Sequence, residues 1–205
     1  MESNYEKQVI AARALFLNFS QEKMIQKFSL QWDEQYLYLP FFHWNCRIDR
    51  ASGRITLNTV SGSADGDYEQ VMTIYDYLCH PGELPSLSGD WCPLQSLQIT
   101  LSSPSPDRLF GDYAGHFSGA VDRLWQACEA VGGVRISTAR SADVSVRFQI
   151  FPQLPLVFQF WDGDEEFEPR IMLLWDRNSL KFLNFETLYY VVRILLELLL
   201  TSQGI

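Results

Sequence analysis

The last third of the chain does most to limit what it can fold into. Val144, Val146, Phe148 and Ile150 alternate with Asp143, Ser145, Arg147 and Gln149, the period of a strand with one wet face. Residues 156–161 and 170–175 follow as two nearly all-apolar runs, the pattern of strands covered on both faces. Residues 185–200 then read as a helix apolar around most of its girth, with Arg193 and Glu197 on its exposed edge. Such a block must bury a common interior. Strands and helices come in blocks rather than strict alternation, which predicts an α+β fold: a mainly antiparallel sheet packed against N-terminal, middle and C-terminal helices. With no repeat and no low-complexity linker, residues 1–205 are expected to form a single domain.

The earlier chain fits that scheme. Ser3-Asn4-Tyr5-Glu6 is a capping-box pattern, and Tyr5, Val9, Ala12, Phe16 and Phe19 recur at helical spacing. Asn18 and Ser20 mark a break and restart, with the apolar face continuing to about Phe28. Residues 36–42, 46–49 and 54–58 read as strands, with Arg50-Ala51-Ser52-Gly53 as a hairpin loop and 60–67 as a Ser/Gly/Asp loop. A helix over 68–79 should stop at His80-Pro81-Gly82, because proline cannot continue it. Leu97, Ile99 and Leu101 suggest a short strand, and 102–107 a turn. Residues 108–131 are mostly helical, with Gly111, Gly115 and Gly119 either breaking the first half or admitting a close backbone.

Charge excludes whole classes of function. Lys and Arg number 16 against 25 Asp and Glu, a net charge of −9. Nucleic-acid affinity comes mainly from basic side chains releasing counterions, so nucleic acid is not an expected partner. The most apolar stretch, 188–200, contains Arg193 and Glu197. It is shorter than the roughly 20 residues of a membrane span, so no membrane partner is expected. The first ten residues lack a signal-peptide pattern. A soluble, cytoplasmic protein is therefore expected, its Cys46, Cys79, Cys92 and Cys128 free and mostly buried.

The loudest local signal is Trp161-Asp162-Gly163-Asp164-Glu165-Glu166-Phe167-Glu168-Pro169, with five acids in nine residues. Extended backbone would point Asp162, Asp164, Glu166 and Glu168 the same way, a spacing usable by Ca²⁺ or Mg²⁺. The alternatives are a solvated loop that blocks edge pairing, or a capping role. Asp164, Glu165 and Glu166 are thus candidate binding residues, and Asp162, Asp164 and Glu166 candidate metal ligands. Asp176 closes the next strand. If the two apolar strands form a hairpin, Asp176 lies about 20 Å from the acidic loop at ~3.3 Å per residue. It then reads as a turn former with Asn178, or as a separate binding residue. His43-Trp44-Asn45-Cys46 and Cys79-His80 are the His/Cys neighbours that a metal or nucleophilic site could use. His43 and Trp44 also sit among Trp32, Tyr36, Tyr38, Phe41 and Phe42, dense enough for a flat-ligand pocket, a core or an oligomer contact.

Several stretches together resemble an uncharacterised bacterial and archaeal family often labelled a putative iron–sulfur cluster protein. They are Ile74-Tyr75-Asp76-Tyr77-Leu78, Ser88-Gly89-Asp90-Trp91, Ala130-Val131-Gly132-Gly133 and Phe151-Pro152-Gln153-Leu154-Pro155-Leu156, then Gly163-Asp164-Glu165-Glu166-Phe167 and Leu174-Trp175-Asp176-Arg177. The resemblance implies a prokaryotic protein and transfers no catalytic residue. In that family the iron–sulfur role belongs to an added cysteine-rich segment in some members. The four separated cysteines here lack the close spacing a cluster requires, so no iron–sulfur cluster is expected in this chain. The expectation is a non-enzymatic accessory or binding domain linked to corrinoid or iron–sulfur metabolism. It would contact a protein partner or a small flat ligand, and a homodimer is compatible with it. The alternative is a metal-assisted, hydrolase-like enzyme using residues 162–168.

Overall fold

A computed structural model describes residues 3–59, 62–97, 106–137 and 142–202. The fold is α+β with two antiparallel five-stranded sheets rather than one. The chain divides into two compact units, Met1–Ser86 with Leu180–Ile194, and Leu87–Ser179 with Leu195–Ile205.

In the first unit, α1 (Asn4–Asn18) opens on the expected capping box: Glu6 N–H donates to Ser3 Oγ, and Ser3 N–H to the Glu6 carboxylate. Its buried stripe is narrower than the spacing suggests. Phe16 is fully buried, while Tyr5 is 65% and Phe19 37% exposed. The restart at Ser20 caps α2 (Gln21–Phe28). A meander follows: β1 (Gln31–Trp32), β2 (Tyr36–Phe41), β3 (Trp44–Asp49), β4 (Ile55–Thr59) and β5 (Gly62–Asp65), paired in that order. Leu37, Leu39, Cys46, Ile48, Ile55 and Leu57 fill its apolar face. β5 occupies part of the expected 60–67 loop. All four of its residues are exposed, so an edge strand left no alternation to read. The Asp49 carboxylate accepts from Ala51 N–H and from the N–H and hydroxyl of Ser52, tightening the predicted hairpin loop. Asp67 and Gln70 form a second capping box that starts α3 (Tyr68–Cys79), which stops at His80 before Pro81.

The second unit begins with β6 (Trp91–Pro93), a strand that sequence did not suggest. The strand expected at Leu97, Ile99 and Leu101 falls outside the described residues, except that Leu97 closes a 3-10 turn. The turn expected over 102–107 also lies outside them, apart from Pro106 and Asp107, which open the next helix. The long middle helix is two helices, α4 (Pro106–Phe117) and α5 (Val121–Ala130). The break is at Gly119, with φ +67°, while nothing approaches within 4 Å of a Cβ built at Gly115. β7 (Val134–Arg135), β8 (Val144–Phe151), β9 (Leu154–Trp161) and β10 (Arg170–Asp176) complete a sheet in the order β6-β10-β9-β8-β7. β9, apolar and buried along almost its whole length, is the middle strand, as its composition predicts. α4 packs on β10 and α5 on β8.

The closing helix α6 (Phe185–Ser202) contributes residues through Ile194 to the first unit and from Leu195 to the second. Arg193 and Glu197 are exposed as expected. Arg193 pairs with Glu69 at 3.0 Å, and Tyr113 donates to Glu197 at 2.6 Å. Among the described residues, no helix is long and apolar enough to cross a membrane.

Candidate functional site

Three helical stripes in the first unit enclose a cavity of about 510 Å³. α3 supplies Tyr68, Met72, Tyr75, Asp76 and Cys79, which recur every three or four residues and so share one face. α1 supplies Gln8, Ala12 and Leu15 at the same spacing. His80 and Pro81 close one end, and Asn184, Glu186, Thr187 and Tyr190 form the remaining wall. Gln8, Leu15, Asn184 and Glu186 are exposed and make the rim.

Polar groups fix these walls to one another. Asp76 accepts from the backbone N–H of Asn184 at 2.8 Å and from its side-chain amide, so it holds the residue just before α6. Tyr190 donates to Glu186 at 3.0 Å, and Tyr68 to Gln8 Oε1. The Tyr68 and Tyr190 rings meet edge to face, 5.9 Å between centroids. Tyr75 is 2% exposed and donates to the Gly53 carbonyl at 2.5 Å. Burial, reinforced by hydrogen bonds with Tyr68 and Glu186, raises the Tyr190 pKa, which keeps its hydroxyl protonated.

The Cys79-His80 neighbourhood noted in the sequence lies in this cavity, but not as an activated pair. Burial pushes the Cys79 thiol up to about 12, with the Asp76 charge adding to the rise and Lys27 opposing it. At neutral pH it is therefore a thiol and not the nucleophilic thiolate. His80 Nδ1 stands 3.9 Å from Asp76 Oδ1, beyond hydrogen-bond distance. It is buried with no hydrogen-bond partner among the described residues.

The other candidate residues are spread over the fold. Residues 164–168 are exposed. Asp162 accepts from Ser118 Oγ and from the N–H groups of Gly119 and Gly163. Burial acts to raise its pKa, but those donors outweigh it and the net shift is downward. Asp164 Oδ1 accepts from Glu166 N–H and Phe167 N–H, both at 2.8 Å, a local turn of the loop. Glu165 is exposed beside them.

Asp176 is at the opposite end of the β9–β10 hairpin, since Trp161 faces Arg170 and Leu156 faces Trp175. It is fully buried. The expected bond from Asn178 N–H is present at 2.8 Å, but the Ser88 N–H and hydroxyl and the Gly89 N–H also donate to it. Burial would raise its pKa; these donors overcome that and lower it. The neighbouring Arg177 pairs with Asp90 at 2.5 Å. Two of the stretches that carry the family resemblance, 88–91 and 174–177, thus form one structural clamp.

His43 belongs to the two-residue turn between β2 and β3, where Phe41 pairs with Trp44. Phe42 takes a left-handed φ of 50° there, and the His43 and Trp44 rings stack 4.6 Å apart. The aromatic stretch does not converge on one pocket, because alternate strand residues face opposite sides: Phe41 is buried while Tyr36 and Tyr38 face outward. Tyr36 lines a separate groove of about 580 Å³ with Arg47, Arg54 and Asp65, in which Arg54 and Asp65 pair with each other at 2.7 Å. The four cysteines are buried on β3, α3, β6 and α5. Among the described residues, no group of three or more His, Cys, Asp or Glu converges in a way that could hold a metal ion.

Fold and cavity define an α+β protein with a tyrosine-walled recess built on three helices. The chain belongs to the family described as Domain of unknown function (DUF3786), whose model matches residues 20–197. Neither a curated protein nor a solved structure matches the chain.

Proposed function

We propose that the protein is a non-enzymatic binding domain for a small flat ligand, held in the cavity between α1, α3 and the start of α6. The observation that carries the reading is the cavity itself. Its 510 Å³ lies within the roughly 300–1,000 Å³ of small-molecule sites, and Tyr68, Tyr75 and Tyr190 give it aromatic lining.

A binding role is favoured over catalysis by the burial of Cys79, which pushes its thiol up to about 12 and keeps it from the thiolate form. The metal-assisted alternative would draw on Asp162, Asp164 and Glu166, of which the first two already accept from backbone N–H groups of the fold. The link to corrinoid or iron–sulfur metabolism comes from the family resemblance. A corrinoid ring with its substituents exceeds a cavity of this size, so an accessory role there would act through a smaller molecule or through protein contact.

Ligand-observed NMR with a panel of flat neutral, anionic and cationic fragments tests the proposal. Several should bind the wild type and lose binding in Ala12→Trp, which places an indole in the cavity. A panel in which no fragment binds, or in which all bind the variant equally, overturns it.

A further inference from the structure

Resting on the binding reading above, we infer that the cavity selects a cation rich in hydrogen-bond donors, of the amine or amidine class. The argument is an inventory of donors and acceptors on its walls. Three lining hydroxyls are already engaged as donors: Tyr68 on Gln8 Oε1, Tyr190 on Glu186 Oε1 and Tyr75 on the Gly53 carbonyl. The Asn184 amide donates to Asp76. The Tyr75 oxygen is also bonded to Arg13, and Tyr68 and Tyr190 bond each other; Tyr190 and both carboxylates keep lone pairs. Glu186 binds Tyr190 through Oε1, which leaves Oε2 at the exposed rim. The walls therefore offer the carboxylates and tyrosine oxygens as acceptors, with the Gln8 amide, the Thr187 hydroxyl, the second N–H of Asn184 and the His80 ring N–H as remaining donors.

Charge points the same way. Asp76 and Glu186 line the cavity, and among the described residues no Lys or Arg does; Lys27 behind it is engaged with the His80 carbonyl at 2.7 Å and Arg13 with the Tyr75 hydroxyl. The nearby Arg193 is paired with Glu69 at 3.0 Å. A carboxylate or phosphate would meet two like charges, whereas a protonated amine or amidine finds carboxylate and phenol acceptors on aromatic walls.

Benzamidine, benzamide and benzoate separate charge from shape, since they share one ring. In isothermal titration of the full chain, benzamidine should bind at least tenfold more tightly than benzamide, and benzoate should not bind measurably. Glu186→Gln should weaken benzamidine about tenfold and leave benzamide unchanged. Raising the salt concentration should weaken benzamidine alone in the wild-type protein, a readout that needs no variant. Benzamide or benzoate binding as tightly as benzamidine overturns the ligand class but leaves the cavity a binding site. Binding of other fragments in the cavity without benzamidine likewise overturns the class alone. Failure of these compounds and of every panel fragment overturns both readings.

Discussion

Asp176 concentrates several effects in one side chain. A fully buried carboxylate is costly unless its lone pairs are filled, and here the Ser88, Gly89 and Asn178 N–H groups and the Ser88 hydroxyl fill them. Asp176→Asn keeps the shape but turns an amide toward these donors. It should cost about 1.5–3 kcal/mol in urea unfolding, the range for hydrogen bonds to a charged group. The folded-state pKa is lowered, so the contribution of Asp176 is fully present above its unfolded value of about 3.9 and fades as pH falls toward the folded value. The wild type should lose stability below about pH 4 more steeply than the variant, and the two curves should converge in acid. Parallel curves would contradict this account. The turn role with Asn178 was legible two residues away. The Ser88–Gly89 partner was not, because that loop lies 88 positions earlier and no local pattern connects the two.

At the level of elements, what could be read were features that a few adjacent residues decide. Ser3 with Glu6, Ser20, and His80-Pro81 set helix ends through caps and a missing donor. The alternation of β8 and the apolar run of β9 announced a strand with one wet face and a central strand. β5 and β6 escaped notice because they are short and owe their existence to β4 and β10. The cavity escaped as well, since its walls come from three distant segments and each stripe alone reads as ordinary core.

Glycines separate two roles that look alike in sequence. At Gly133, after α5, an added Cβ would lie 2.5 Å from Val146 Cγ1 and 2.7 Å from the Cys128 carbonyl. At Gly115, inside α4, it would meet nothing within 4 Å. Gly133→Ala should therefore destabilise by about 1–3 kcal/mol through overpacking. Gly115→Ala should stabilise by up to about 1 kcal/mol through helix propensity. Thermal melting of both variants checks the opposite signs.

For the molecule as a whole, the order of the chain matters as much as its contacts. The first unit is discontinuous: Met1–Ser86 is completed by Leu180–Ile194. That late segment brings Asn184 to Asp76, Tyr190 to Tyr68 and Arg193 to Glu69. A fragment ending at residue 86 should therefore lack a cooperative thermal transition, and a peptide of residues 180–194 should restore one, as circular dichroism can follow. A cooperative transition in the fragment alone would show that the late segment is dispensable.

Protein synthesis runs in one direction, so this discontinuity has a cost in time. While the ribosome translates the intervening residues, α3 waits with Tyr68 and Asp76 unmet by their final neighbours. At roughly 5–20 residues per second that wait lasts several seconds. Throughout it the recess stays half-built, and the proposed ligand site can be completed only once residues 180–194 have been made.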